Sequence, residues 1–321
     1  MESTDDQQPA MAHRDRKQRA VERLRRDRRV VLVVNCRSRR GAWLGDRAQA
    51  LLRARGFELT RTWAVTRPDT LDAIVEGALA DRPGLLVLGG GDGTVASVVG
   101  RVAGTDTVLG YLPLGTTNNL ARVLGIPRRL DRAVDLLARG RVVDIDLGVA
   151  NGRYFANMAS MGVSVAVSDH TPHRLKRLLG RVAYAVTGAA ALPGHRPFVA
   201  DVTVDGVEYR VVTHQLNIAN GSVHAGSRIA VDAGIDDGLL VAYTLGGPSR
   251  WSTATGTVVQ AVTPHRTLVH KGHLVGRRIL VRTEPPRPVE LDGENVSATP
   301  LDITVARNAL LIMAGPEFHD T

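Results

Sequence analysis

The chain has 321 residues, of which 44% are hydrophobic, 23% charged and 4% aromatic. This composition excludes a mostly disordered chain, and the length suggests two domains. The net charge is +9, and the single cysteine, Cys36, excludes an internal disulfide scaffold and fits a reducing cytoplasm.

No run of about 18 uncharged apolar residues occurs, so no transmembrane helix is expected. The N-terminus also lacks the apolar core of a signal peptide. From 11 to 30 it carries nine Lys or Arg against three Asp or Glu. This predicts a basic arm over 1–29, disordered or helical. It is either a solvated tail or an element drawn to anionic lipid headgroups, at about 1 kcal/mol per basic residue near the surface. Nothing else in the chain supports nucleic-acid binding, and the few aromatics argue against base-stacking platforms.

From Val30 the pattern becomes strands alternating with amphipathic helices. Val30–Asn35 is an apolar run of strand length, Asp46–Arg55 predicts a helix and Glu58–Val65 a strand. Leu71, Ile74, Val75 and Leu79 recur at helical spacing within Thr70–Ala80. Leu85–Leu88 is a short buried strand, followed by a glycine cluster and a helix from about Val95. Thr107–Leu114 is another strand. This alternation predicts a parallel sheet covered by helices on both faces, over 30–148. Thereafter strands dominate: Val199–Val204, Glu208–Val212, Leu216–Ala219, Leu239–Leu245, Arg278–Val281 and Leu301–Val305. Arg174–Leu192 and Ser249–Val262 are the helix candidates. Strands without crossover helices predict an antiparallel, sandwich-like domain over 149–300.

Gly89-Gly90-Gly91-Asp92-Gly93-Thr94 directly follows a strand. Its glycines let the backbone turn sharply and approach a ligand, and amides leading into a helix suit phosphate oxygens. It is neither a Walker loop nor a dinucleotide fingerprint, because Thr94 and Ala96 stand where the latter requires glycine. Asp92 would repel phosphate unless a cation lay between, which suggests a nucleotide with Mg²⁺. Pro113-Leu114-Gly115-Thr116-Thr117-Asn118-Asn119 again ends a strand and starts a helix; it is a ligand-contact turn or an N-cap. Asp144-Ile145-Asp146 is placed at a strand end, and Leu291-Asp292-Gly293-Glu294 at a hairpin turn. His170 with His173, and His270 with His273, lack companion ligands and suggest exposed polar positions rather than zinc. Arg174, Lys176, Arg177 and Arg181 around Leu175, Leu178, Leu179 and Val182 form an amphipathic helix, either a surface helix or a membrane-touching element. Cys36 has no evident His partner and is expected to pack.

The ordered set GGGDGT at 89–94, PLGTTNNLAR at 113–122, DIDLG at 144–148, IDDGLL at 235–240 and LDGE at 291–294 resembles the diacylglycerol kinase catalytic-domain family of lipid kinases. Asn35, Ser38 and Gly41 are similar to its opening Asn-Pro-x-Ser-Gly loop, with Cys36 replacing Pro. The resemblance runs from about Val31 to Ala314 and fits the bacterial diacylglycerol/sphingosine-type enzymes. It implies an α/β N-terminal domain with a parallel sheet, a β-rich sandwich-like C-terminal domain, and a segment 301–321 that returns to the first domain. It implies an ATP-dependent kinase that transfers the γ-phosphoryl group to a hydroxyl of a membrane lipid such as diacylglycerol, using Mg²⁺.

By the resemblance, Asn35, Thr66, Gly90, Gly91, Gly93, Thr94, Gly115, Thr116 and Asn118 bind the nucleotide. Asp92 orients the Mg²⁺-bound phosphates, Asp146 is a polar or charge-relay group, and Glu294 is the general base. Asp232 and Asp237 lie in the family's structural Mg²⁺ region. Asn119 departs from the Asp common at its position, and Ala96-Ser97 from Asn-Glu. The rivals are an NAD- or polyphosphate-type kinase with a soluble acceptor and a catalytically silent nucleotide- or lipid-binding protein. The expected location is cytoplasmic and peripheral to an anionic membrane, reached through the basic arm. A homodimer is allowed.

Overall fold

The computed structural model describes residues 4–36, 39–165, 196–221, the pairs 223–224 and 227–228, 234–244 and 273–318. The helix candidates at 174–192 and 249–262, with His170, His173, His270, Ser38 and Asp232, lie outside these residues. The basic arm is helix α1 (Thr4–Arg26). It is not a solvated tail. Ala20 is buried, and Arg16, 8% exposed, donates to the Asn308 carbonyl. Lys17 Nζ lies 2.7 Å from Asp144 Oδ1, and Arg23 donates to the Arg82 carbonyl. Part of the charge that suggested a membrane arm is thus consumed inside the fold. Arg25, Arg26 and Arg28 remain exposed.

The uninterrupted apolar run at Val30 forms β1 (Arg29–Asn35), whose Val30–Val34 are buried on both faces. Then follow α2 (Arg39–Ala54), β2 (Glu58–Val65), α3 (Leu71–Ala80), β3 (Leu85–Gly90), α4 (Asp92–Val102) and β4 (Val108–Pro113). Short α5 (Asn119–Val123) and α6 (Leu130–Arg139) complete the run. The strands are parallel in the order β2-β1-β3-β4, and the chain's last strand, Leu301–Ala314, adds beside β4 with Ile312 opposite Leu109. Helix α2 packs on α6, and α3 on α4. Right-handed crossovers place these pairs on opposite faces of the sheet. From β1 the chain steps one way to β2, and from β3 the other way to β4. The carboxyl ends of β1 and β3 are therefore the topological switch point, where open α/β sheets bind ligands.

Two compact units result: Met1–Ile145 with Asn308–Thr321, and Asp146–Arg307. Strand β5 (Arg141–Ala150) carries the chain from the first into the second. There follow β6 (Arg153–Phe155), β7 (Met158–Gly162), β8 (Phe198–Val204), β9 (Val207–Thr213), β10 (Gln215–Asn220) and the two-residue strands β11 (Val223–His224) and β12 (Ser227–Arg228). Then come β13 (Leu240–Thr244), β14 (Leu274–Gly276), β15 (Arg278–Thr283), β16 (Pro288–Leu291), β17 (Glu294–Ala298) and β18, the last strand already described. One sheet of the second unit has the order β9-β8-β15 and the start of β18; the other is β14-β13-β10-β7-β16-β17. Their pairings are antiparallel. Inward residues such as Met161, Phe198, Val202, Ile218, Ile279, Val289 and Ile303 form one core between the sheets. Among the described residues, no helix is long and apolar enough to cross a membrane.

Candidate phosphate-binding site

Strand β3 runs into its own glycines. Gly89 and Gly90 are the last strand residues, Gly91 is extended, and Asp92 opens α4. A Cβ on Gly90 would lie 2.5 Å from Thr94 Cβ, so this position excludes any side chain. Thr94 is buried, and its Oγ1 accepts from Asn35 Nδ2 at 3.0 Å, tying the end of β1 to the first turn of α4. The Asp92 and Gly93 amides lie in that turn, where no helical carbonyl is available to them. A Cβ on Gly93 would meet nothing within 4 Å, so the space beside that amide is open.

The loop after β4 lies directly against this one. A Cβ on Gly115 would be 2.5 Å from Gly91 Cα, and the Leu114 and Gly115 amides donate to the Gly90 carbonyl at 2.7 and 3.1 Å. Asn118 fixes the loop. It is buried, left-handed at φ 52°, and accepts through Oδ1 from the Gly115 amide and the Tyr111 hydroxyl, each at 3.1 Å. Its Nδ2 donates to the Gly115 carbonyl at 2.8 Å and, more weakly, to that of Pro113. These bonds engage both ends of the amide, so Asn118 builds the loop. Tyr111, which the sequence reading did not select, supports it from below. Burial pushes its phenol far up, which keeps it a donor.

Asp92 sits where the two loops meet. Burial pushes its carboxyl up, against the pull of the 118–120 amides and Arg122. The contact from the Leu120 amide to Oδ1 is long, 3.4 Å, so the carboxylate retains capacity for a cation. Nearby, the Asn119 Oδ1 atom is buried without a partner. Among the described residues, no group of three or more His, Cys, Asp or Glu could hold a metal. Of the groups at this point, the Asp92 carboxylate is the one whose chemistry suits Mg²⁺, which takes one or two carboxylates and completes its shell with phosphate oxygens and water. Asp92 would be the protein ligand. Thr66 and Thr116 are exposed, at the ends of β2 and in the β4–α5 loop. The Cys36 thiol is pushed up by burial and lies against Gly45 and Gly41, a packing environment rather than a nucleophile's.

In the second unit, Asp146 lies inside β5, not at a strand end, because Val142, Val143, Ile145 and Leu147 continue the buried run on either side. Its Oδ2 accepts from the Gly238 amide at 2.6 Å, and its own amide donates to the Ile235 carbonyl. Asp237 closes the same turn, accepting from the Gly234 and Leu239 amides at 2.6 and 2.9 Å. Asn220, missed from sequence, donates from Nδ2 to the Asp146 and Ala156 carbonyls. Asp292 and Gly293 both have positive φ, as a two-residue turn of the I′ kind requires. The Asp292 carboxylate accepts from the Ala156, Asn157 and Met158 amides at 2.6–2.9 Å. Burial pushes its carboxyl up, and the amides offset part of that shift. Glu294 is the exposed first residue of β17, on the rigid arm of this turn.

The first unit is thus a parallel sheet with glycine loops at its switch point, and the second an antiparallel sandwich. The family model described as the diacylglycerol kinase catalytic domain matches residues 29–150, and that of the YegS C-terminal NAD kinase beta sandwich-like domain matches 157–314. A diacylglycerol kinase of Bacillus subtilis is 30% identical over 277 residues, covering 83% of this chain and 90% of that protein. One of Staphylococcus aureus is 32% identical over 187 residues, 57% of this chain and 59% of its own. The crystal structure of a diacylglycerol kinase from Bacillus anthracis covers 90% of this chain and 97% of its own at a TM-score of 0.72 and 22% identity, which speaks for the fold. The chain belongs to the diacylglycerol kinase family of lipid kinases.

Proposed function

We propose that this chain is an ATP-dependent lipid kinase that transfers the γ-phosphoryl group of ATP to a hydroxyl of a membrane lipid such as diacylglycerol. The observation that carries the reading is the backbone contact of Gly91 with Gly115, which brings two glycine loops and Asp92 together at the sheet's switch point. Phosphoryl transfer is chiefly positioning and charge stabilisation. The open first-turn amides of α4 suit phosphate oxygens, and Asn35, through Thr94, holds that turn in place. Mg²⁺, when bound with ATP, neutralises phosphate charge, and Asp92 is the residue that would hold it. Asn118 and Tyr111 keep the second loop rigid. Glu294 accepts the proton of the acceptor hydroxyl, and Asp292 fixes the turn from which it acts. Asp146 and Asp237 are positioning groups that hold the 234–239 turn. The exposed Arg25, Arg26 and Arg28 support peripheral binding to an anionic membrane.

The test is transfer of label from γ-labelled ATP to a panel of acceptors, diacylglycerol, sphingosine and NAD among them, resolved by chromatography. Labelled lipid supports the reading. Label in NAD, or ATP binding with no transfer to any acceptor, overturns it.

A further inference from the structure

A cavity of about 240 Å³ opens at the foot of the first unit, at the opposite ends of the strands from the glycine loops. Val30 near the start of β1, Leu85 at the start of β3 and Phe57 just before β2 line it, with Leu137 of α6. Val21 and Leu24 of α1 close one side, and both are only partly buried. Every lining residue belongs to the first unit. Helix α1 lies outside the residues 29–150 that the kinase family model matches, so this chain's own arm completes the cavity.

The mouth is cationic. Arg25, Arg28, Arg29 and Arg141 line it and are exposed, and Asp27 is the one carboxylate among the lining residues. Arg29 is bound to Asp27 at 2.9 Å, which neutralises that pair. Arg28 is held over the Phe57 ring at 5.4 Å, a stacking contact that leaves its N–H groups available. Among the described residues, Arg25 and Arg141 have no carboxylate partner. The C-termini of α1 and α6 border the same space and bring about half a negative charge each. Compensating both helix ends takes about one of the three guanidinium charges and leaves a surplus of about two. That surplus stands over an apolar interior.

We propose that this cavity binds a single-chain phosphate monoester, with its head on Arg25, Arg28 and Arg141 and its alkyl chain among Val21, Leu24 and Leu137. A phosphate monoester carries about −1.5 to −2 charges at neutral pH, which matches the surplus, whereas a carboxylate balances half of it. Its oxygens also suit the guanidinium fork. The volume holds about eight water-sized groups, enough for the first part of one chain and not for two. The bound ligand joins α1 to the foot of the sheet. The phosphorylated lipid that the proposed reaction makes belongs to the same chemical class. That last link rests on the proposed function, and the site itself does not.

The test titrates the full chain with octyl phosphate below its micelle concentration, by calorimetry and by amide hydrogen exchange, with no ATP or acceptor lipid present. Octyl phosphate should bind and slow exchange at 20–30 and 137–142. Arg25→Gln combined with Arg141→Gln should weaken binding at least about tenfold. Ala138→Phe, which fills the cavity and keeps every arginine, should weaken it as much. Vesicles containing phosphatidic acid separate a membrane-borne head from a dispersed ligand, and Ala138→Phe should leave their binding unchanged. Protection confined to the glycine loops or to the second unit overturns the proposal. So does inorganic phosphate or octyl glucoside binding as tightly as octyl phosphate. Equal loss of vesicle binding in Ala138→Phe makes the face a membrane contact and also overturns it. If Ala138→Phe fails to fold, the arginine pair and the exchange pattern decide alone.

Discussion

Gly115→Ala tests whether the two glycine loops act as one site. The added Cβ would stand 2.5 Å from Gly91 Cα and 2.7 Å from Asn118 Oδ1, whereas ordinary contact begins at 3.4 Å. The first neighbour is backbone and cannot rotate away. The loops must therefore part by roughly 1 Å, a displacement that costs on the order of 10²-fold in rate at a positioning group. Forcing a methyl into packed backbone destabilises by about 1–3 kcal/mol. Gly93→Ala is the matched control for stability alone. Its Cβ would meet nothing within 4 Å, and it lies in the first turn of α4, so alanine should be neutral or stabilising by about 0.5–1 kcal/mol. Urea unfolding gives the stability of each variant, and ATP titration with labelled-lipid assays gives its function. If Gly115→Ala unfolds at the wild-type midpoint and turns over at the wild-type rate, the contact between the loops is not part of the site.

Three further outcomes are expected. Glu294→Gln keeps the shape of the exposed turn arm but loses the base, so kcat should fall about 10²–10⁴-fold while ATP affinity, measured by titration, holds; equal loss of both would move Glu294 into nucleotide binding. Asp292→Ala leaves the Ala156, Asn157 and Met158 amides without their acceptor and should cost roughly 3 kcal/mol or more in urea unfolding, with Asp292→Asn costing less; a neutral Asp292→Ala would refute the turn's anchoring. Exchanging Arg25, Arg26 and Arg28 for Glu should weaken binding to anionic vesicles, most of all at low salt, without moving the unfolding midpoint, whereas removing 1–26 should lower that midpoint because Ala20, Arg16 and Lys17 pack into the first unit.

Much of the first unit was legible because its central strands β1, β3 and β4 are buried on both faces. Val30–Val34 and Leu85–Leu88 admit no polar residue, and a continuous apolar run bounded by glycine is a strong signal. The glycine loop was legible for the same reason, since Gly90 and Gly115 stand where side chains cannot. Other elements were hidden by length or partnership. Strands β16 and β17 have four and five residues, too few for a period to emerge, and only their turn announced them. The fourteen residues of β18 extend far beyond the predicted Leu301–Val305, because alternating burial at the start gives way to full burial at the end. Asn118 looks like a ligand residue in sequence, yet both ends of its amide are engaged within the loop it builds, and Asn220, which carries no sequence signal, donates from Nδ2 to two distant carbonyls. Such roles depend on which distant carbonyl folding brings near, and no local pattern encodes it. The packing of the arm, left open between a solvated tail and a lipid-attracted element, was illegible for a related reason: Lys17 is held by Asp144, 127 residues away.

The most direct measurement is transfer of label from γ-labelled ATP to diacylglycerol in vesicles, with wild-type chain and Asp92→Ala side by side at matched folded concentration. The account predicts labelled lipid from the wild type and a loss on the order of 10²-fold or more in the variant, because the carboxylate at the meeting point of the loops is gone and phosphate charge is no longer balanced there. Labelled lipid at the wild-type rate from a folded Asp92→Ala chain, or none from the wild type with any lipid, would contradict it.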